Sequence, residues 1–313
     1  MSSSLTSGAL YASRLARVRQ EMQRRSIDAA LLSVGHDLPY LTGYYAMPLE
    51  RLTMLVVTQD SVATLIVPRL EAPRVTPFDD VFRVVPWGET ENPVEIVAKN
   101  LGGAKCIAVG DQMWARFLVE LMGFVSGACF VRAVDVVGPL RMVKDAAEIA
   151  ALQAAGAAAD RVAVQLQAGN IPLVGRTEAQ VSADISARLI AEGHDVVNFA
   201  IVAAGENAAS PHHHAGPRVI NKDEIVLCDF GGTMNGYCSD ITRCVFVGTP
   251  SRKITSAYSV LHASHAAGVK AGVVGATCES VDAAARKVID DAGFGDFFIH
   301  RTGHGIGMEA HED

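Results

Sequence analysis

The chain has 313 residues, of which half are apolar, and a net charge of −7. This length allows one large domain or two ordinary ones. The acidic balance and the lack of a long basic run exclude a typical nucleic-acid-binding protein. No apolar stretch reaches the roughly 18 residues of a membrane span, and the N-terminus lacks the pattern of a signal peptide. The six cysteines are scattered and form no C-x-x-C pair, so we expect reduced thiols in a cytoplasmic protein.

The first 138 residues alternate helix and strand signals, which is typical of a small α/β domain. Apolar residues at helical spacing predict a helix over 10–25, and 53–68 reads as a hairpin around Asp60-Ser61. Gly138-Pro139 has the composition of a turn, and we place the domain boundary there. Further strands are predicted at 28–34, 79–87 and 106–110, and further helices at 92–101 and 112–125.

Residues 139–313 have a different character. Two long helices are predicted at about 145–168 and 177–192. The remaining strand signals lie at 195–205, 224–232, 237–248 and 296–307, with two helices between the last two. Runs of helices beside runs of strands, without strict alternation, predict an α+β domain.

Asp229 and Asp240 lie in strand-like runs on either side of a strong hairpin signal, Asn235-Gly236. Pairing the strands about a centre near Met234-Asn235 places the two aspartates directly opposite one another, with Cβ atoms roughly 5 Å apart. Carboxylates that close repel unless a proton or a cation lies between them. The flanks are apolar and β-branched, which argues against two solvated loop aspartates. A shared divalent cation is the simpler interpretation.

Six of the ten histidines fall in three places: 212–214, 300 with 304, and 311. Glycines at 303, 305 and 307 argue against a helix here. In a strand, His300 and His304 would share a face about 13 Å apart, so they could not bind one ion. One would be a ligand and the other would lie further along the same cleft. We expect at least one of the histidines at 212–214 to be solvated.

These motifs together resemble one known family. D-F-G-G…S-D-I-T-R at 229–243, P-H-H at 211–213 and H-R-T-G-H-G-I-G…H-E at 300–312 are similar to the Xaa-Pro dipeptidase and aminopeptidase P (prolidase, creatinase-like) metallopeptidases. The resemblance spans nearly the whole chain. It implies an incomplete α+β pita-bread catalytic domain at 139–313, preceded by a smaller α/β domain at 1–138.

The resemblance also implies a metal centre. Two divalent metal ions would be bound by Asp229, Asp240 and His304. Oxygen-rich ligands favour Mn²⁺ over thiolate-seeking metals, with Co²⁺ or Zn²⁺ as alternatives.

The remaining histidines correspond to residues that meet the substrate. His212 resembles the histidine that hydrogen-bonds the substrate or intermediate, and His311 the one that faces the scissile carbonyl. His300 resembles an outer-pocket histidine of the proline-specific members. The implied reaction is hydrolysis of the Xaa-Pro bond in dipeptides or short peptides by a hydroxide bridging the metals. We expect a homodimer with no nucleic-acid or membrane partner.

One departure from the family pattern affects this interpretation. The family completes its metal site with two glutamates on strands beyond these motifs, whereas this sequence ends at Asp313. We therefore expect a fragment of a longer gene product rather than a naturally short protein. Residues 1–313 alone are expected to bind divalent metal weakly and to cleave no Xaa-Pro dipeptide.

Two other functions stay open. A relative on the same fold could hydrolyse a non-peptide substrate such as creatine, ectoine or a sulfonium acid, although Asp229 and Asp240 count against the creatine case. The chain could also be a scaffold without catalysis. Metal content separates the scaffold from the peptidase, and a panel of Xaa-Pro dipeptides separates the two enzymes.

Overall fold

The computed structural model describes residues 7–312, and the chain divides after Val143 into two compact units. The first unit is built on a six-stranded mixed sheet of order β4-β3-β2-β1-β5-β6. The second and third strands form the predicted hairpin. The sixth strand was not predicted. The strands are β1 Ala29–Leu32, β2 Met54–Thr58, β3 Ala63–Pro68, β4 Phe82–Trp87, β5 Cys106–Val109 and β6 Cys129–Arg132.

Five helices accompany this sheet, of which the first, third and fourth were predicted. They are α1 Ser7–Arg24, α2 Asp37–Thr42, α3 Pro93–Asn100, α4 Ala115–Phe124 and α5 Val134–Met142. The predicted turn at Gly138-Pro139 is wrong, because both residues lie inside α5. Burial of Val136, Val137 and Leu140 on the apolar face of this helix outweighs the cost of an internal proline.

The second unit begins with the two predicted helices, α6 Ala146–Gln167 and α7 Glu178–Ala191. Both start with a capping box, from Asp145 and Thr177, which satisfies backbone N–H groups that a helix leaves unpaired. Val181, Ile185 and Leu189 of α7 are fully buried at helical spacing. They pack in one core with the small residues of α6 and the inner face of the sheet.

The sheet of this unit is antiparallel, in the order β10-β8-β7, and β9 also pairs with β8. Its strands are β7 Val196–Ala204, β8 Ile225–Met234, β9 Tyr237–Cys238 and β10 Ile241–Phe246. Two further helices follow, α8 Arg252–Ala271 and α9 Cys278–Asp291. This arrangement confirms the α+β prediction. Within residues 7–312, no helix is both long and apolar enough to cross a bilayer.

The prediction of a strand at 296–307 is wrong. The segment has a 3-10 turn at Gly295–Phe297 followed by irregular backbone. Part of its backbone is hydrogen-bonded to side chains of α9 and not to a neighbouring strand. Arg286 donates to the carbonyl oxygens of Phe298 and His300 at 2.8 Å, and the amide of Thr302 donates to Asp282 at 2.7 Å.

Candidate metal centre

The two aspartates lie on the hairpin formed by β8, β9 and β10. Asn235 and Gly236 have φ of 50° and 81°, the positive values that a two-residue type I′ turn requires. The resulting register pairs Asp229 with Thr242, so the predicted direct opposition of Asp229 and Asp240 is wrong. The true pairing centre is at Asn235-Gly236, one residue later than predicted. Asp240 lies two residues from Thr242 and therefore still shares a face with Asp229.

The glycines after Asp229 let neighbouring backbone approach the centre of this sheet. A Cβ on Gly231 would lie 2.0 Å from the carbonyl oxygen of Ser239, and one on Gly232 would lie 2.4 Å from that of Val196. Both distances are shorter than any contact a real side chain makes. The D-F-G-G sequence thus lets the backbone of Ser239, next to Asp240 and between β9 and β10, come close to β8, which carries Asp229.

Ser239, beside Asp240, is held by a buried histidine. Nδ1 of His194 lies 3.1 Å from the carbonyl oxygen of Leu189, and Nε2 lies 2.8 Å from the Ser239 hydroxyl. Because a carbonyl only accepts, Nδ1 carries the proton and Nε2 accepts from Ser239. Burial lowers the pKa of His194, which favours this neutral form. The Ser239 amide also donates to the carbonyl oxygen of Gly232 at 2.8 Å, so the backbone beside Asp240 is fixed.

His304 and His311 belong to a loop that closes on itself. Gly305 and Glu312 form an antiparallel bridge with backbone hydrogen bonds of 3.1 and 2.9 Å. The rings of the two flanking histidines consequently lie 4.0 Å apart, edge to face. The Cys238 amide of β9 donates to the carbonyl oxygen of Gly307 at 2.8 Å, which joins the loop to the hairpin.

The hairpin and the loop bring potential metal ligands together. One ligand atom from each of Asp240, His304 and His311 lies within 4.8 Å of the other two, and Nε2 of His304 is 3.5 Å from Oδ2 of Asp240. The side chains of His304 and Asp240 are 23% and 25% exposed, which leaves the ligand atoms accessible. Carboxylate oxygens and imidazole nitrogens in this arrangement fit a divalent ion that takes oxygen and nitrogen ligands.

Asp229 lies next to this group and is electrostatically coupled to it. Burial raises the pKa of Asp229, and the Asp240 carboxylate raises it further. The hydroxyl of Thr242, which donates to Oδ1 at 2.8 Å, opposes this shift, as do His212 and His304. A half-buried carboxylate beside a second carboxylate is the electrostatic situation that a bound cation relieves.

The three histidines at 212–214 differ from one another. His212 and His214 are exposed, and His212 is close enough to influence the pKa of both Asp229 and His311. His213 is instead bonded to the carboxylate of Glu178 at 2.8 Å. Sequence reasoning missed Glu178 and the buried His194, because their partners lie on other elements and no local motif marks them.

His300 makes its contacts within its own segment. Its ring packs edge to face on Phe298, with centroids 4.9 Å apart, and its Nδ1 lies 2.8 Å from the carbonyl oxygen of Arg301. The structure therefore brings together Asp240, His304 and His311, with Asp229 and His212 beside them. His300 and His304 were predicted to share one face of a strand, but the structure has no strand over residues 296–307.

Comparison with known proteins agrees with this geometry. Residues 148–313 match metallopeptidase family M24, and residues 14–143 match the creatinase/prolidase N-terminal domain. A relative named probable dipeptidase PepE, from Mycobacterium tuberculosis, is 40% identical over 309 residues, covering 97% of this chain and 82% of the relative.

Solved structures give the same result. Dipeptidase PepE from Mycobacterium ulcerans superposes with a TM-score of 0.92 at 42% identity, covering 99% of this chain and 84% of that one. A prolidase from Thermococcus sibiricus gives 0.90 at 32% identity, with coverage of 99% and 84%. The predicted family and pita-bread fold class are confirmed, and membership implies peptide hydrolysis with divalent metal ions. The chain belongs to metallopeptidase family M24, with a creatinase/prolidase N-terminal domain ahead of its pita-bread domain.

Proposed function

We propose that this protein is a cytoplasmic Xaa-Pro dipeptidase that uses two divalent metal ions. The observation that carries the proposal is the convergence of two hairpin aspartates and two histidines of the 304–312 loop on one place. Relatives named prolidase and dipeptidase support a short peptide substrate. A homodimer is part of the proposal, and the molecular mass in solution tests it.

Asp229, Asp240 and His304 are the proposed ligands. The oxygen-rich donor set favours Mn²⁺, with Co²⁺ or Zn²⁺ as alternatives. Bound ions would supply Lewis acidity, which makes a water molecule more acidic and polarises the peptide carbonyl. Thr242 keeps Asp229 oriented through its hydrogen bond, and the Ser239 anchor does the same for the backbone of Asp240.

His212 and His311 are the proposed catalytic residues outside the ligand set. Each would donate a hydrogen bond to the oxygen that becomes negative as water adds to the scissile carbonyl. Donors aimed at such a developing charge are each worth about 3 kcal/mol in the transition state. Burial lowers the pKa of His311, and His304 lowers it further. His300 is proposed to contact the C-terminal part of the substrate.

Hydrolysis and metal content should be measured on protein expressed from its complete gene. We expect release of alanine from Ala-Pro after loading with Mn²⁺, and little turnover of Pro-Ala. Longer peptides such as Ala-Pro-Gly distinguish a dipeptidase from an aminopeptidase. Asp240→Ala should lose both metal and activity, whereas Asp291→Ala, at an exposed carboxylate at the end of α9, should keep both. Turnover of Ala-Pro by metal-free protein at the full rate would reject the proposal.

A further inference from the structure

Glu178 is a fully buried acid at the start of α7, with 0% exposure. The N-terminal end of a helix favours negative charge, because its free N–H groups point outward. Burial raises the pKa of Glu178, but the hydrogen bonds that it accepts outweigh this effect and leave the pKa below its ordinary value. The side chain is therefore a carboxylate at neutral pH, and it accepts hydrogen bonds only.

All four donors to this carboxylate come from one segment, residues 204–216. Oε1 accepts from the amide of Ala204 at 2.8 Å and from the side chain of Asn207 at 2.9 Å. Oε2 accepts from Nε2 of His213 at 2.8 Å and from the amide of Gly216 at 3.4 Å. Glu178 thus holds both ends and the middle of the segment that carries His212.

The chemistry of this contact requires a carboxylate. The four donors need two acceptor oxygens, whereas a glutamine offers one oxygen and an NH₂ group that would face two of the donors. Because the carboxylate only accepts, Nε2 of His213 must carry a proton. Both the backbone at Gly216 and the ring of His213 are fixed by the same side chain, and His212 immediately precedes His213 in the chain.

We propose that Glu178 is a positioning residue that acts through His213 and the 204–216 segment to hold the ring of His212 beside Asp229. The role of His212 in this inference rests on the proposed function, whereas the anchoring of the segment does not. His212 itself is exposed, so the segment beneath it determines where its ring lies.

The first test measures the position of the His212 ring without any catalysis. Metal-free protein labelled at histidine is studied by NMR, with the His212 signal assigned from its loss in His212→Gln. In Glu178→Gln we expect that signal to move or broaden. Glu206→Gln is the matched control, because Glu206 lies in the same segment but its exposed carboxylate pairs with Arg218, and it should leave the signal unchanged. An unchanged His212 signal in Glu178→Gln overturns the proposal.

A milder change covers the case in which Glu178→Gln does not fold. Asn207→Ala removes one of the four donors and should shift the same signal in the same direction by a smaller amount. No shift in this variant also counts against the anchoring.

The second test is a double-mutant cycle on Ala-Pro hydrolysis. Glu178→Gln should lower kcat by about 10- to 100-fold, because misplaced catalytic groups cost that much, with metal content unchanged. In the His212→Ala background the same substitution should cost nothing further. Equal losses in both backgrounds would show that Glu178 does not act through His212. A wild-type protein inactive on Ala-Pro would reject the proposed function, and the NMR result would still decide the anchoring.

Discussion

Gly305 and Glu312 pair through two backbone hydrogen bonds, and this bridge places the rings of His304 and His311 4.0 Å apart. Two histidines seven residues apart become neighbours because the intervening chain turns back on itself. The side chain of Glu312 then fixes the end of the loop. Its Oε2 accepts from Lys144 at 3.0 Å and its Oε1 from the Glu309 amide at 3.2 Å.

Lys144→Met tests whether this ion pair stabilises the loop. The side chains of Lys144 and Glu312 are only 15% and 7% exposed, and removing one partner of a covered pair leaves the other charge poorly compensated. Because Glu312 keeps its hydrogen bond from Glu309, we expect a loss of about 2 kcal/mol in the free energy of unfolding, together with weaker metal binding. Denaturant unfolding and elemental analysis measure the two effects.

Lys287→Met is the matched control for that substitution. Lys287 pairs with Asp291 at 2.9 Å, but the two side chains are 74% and 64% exposed. Solvent-exposed pairs contribute roughly 0 to 1 kcal/mol, so this variant should unfold like the wild type. Equal effects of the two substitutions would mean that burial of the Lys144 pair carries no extra stability.

Gly231→Ala should disrupt the hairpin that carries both aspartates. The added Cβ would lie 2.0 Å from the carbonyl oxygen of Ser239, which is backbone and cannot rotate away. We expect a loss of more than about 3 kcal/mol in the free energy of unfolding. Gly303→Ala is the control, because a Cβ there meets nothing within 4 Å and should change stability by less than about 0.5 kcal/mol. A Gly231→Ala protein as stable as wild type would contradict the close approach of the Ser239 carbonyl oxygen to Gly231.

Local signals were enough to predict most of the second unit. α6 and α7 end within a few residues of their predicted limits, because their caps at Asp145 and Thr177 are encoded next to the helices. The turn at Asn235-Gly236 was predicted for the same reason, since positive φ favours these residues. The partner of Asp229 was missed by two positions, because the pairing centre was placed at Met234-Asn235, one residue before the centre of the Asn235-Gly236 loop.

Interactions between distant residues could not be predicted from the sequence. Glu178 bonds to residues 26 to 38 positions later, and no periodicity or motif records such a contact. The segment 296–307 has strand-like composition, but the carbonyl groups of Phe298 and His300 accept hydrogen bonds from the Arg286 side chain of α9. Which partner satisfies a backbone group is a tertiary property. The metal-ligand candidates were found by motif, whereas the residues that hold them in place were not.

Asp282→Asn tests how α9 anchors the segment before His304. Asp282 accepts hydrogen bonds from Arg286 and from the amide and hydroxyl of Thr302. The Arg286 hydrogen bonds and those from Thr302 lower the pKa of Asp282 from 3.8 to about 2. A lowered pKa means that the carboxylate stabilises the folded state above pH 3.8 and that this stabilisation is lost as the pH falls towards 2.

The expected difference in stability between wild type and Asp282→Asn therefore depends on pH. At pH 7 the variant should be less stable by on the order of 1 kcal/mol, a value reduced for solvent screening at this partly exposed site. The difference should shrink as the pH falls from about 4 to 2. Unfolding of both proteins by urea across this range gives the measurement. If the difference in unfolding free energy stays constant with pH, the loss of stability comes from altered packing or hydrogen bonding and not from the charge of Asp282.

His212→Ala and Asp240→Ala separate the two proposed kinds of site residue. Asp240 lies with His304 and His311 in a group whose ligand atoms are within 4.8 Å of one another, so its removal should abolish both metal binding and activity. His212 is exposed on the 204–216 segment, outside that group, and its ring is proposed to meet the substrate oxygen. Its removal should keep the metal and lower kcat by on the order of 100-fold, the cost of one lost oxyanion donor. Elemental analysis and Ala-Pro turnover are measured on the same preparations, made from the complete gene. Loss of metal in His212→Ala would make this histidine a ligand, and full turnover with full metal would make it an ordinary solvated side chain.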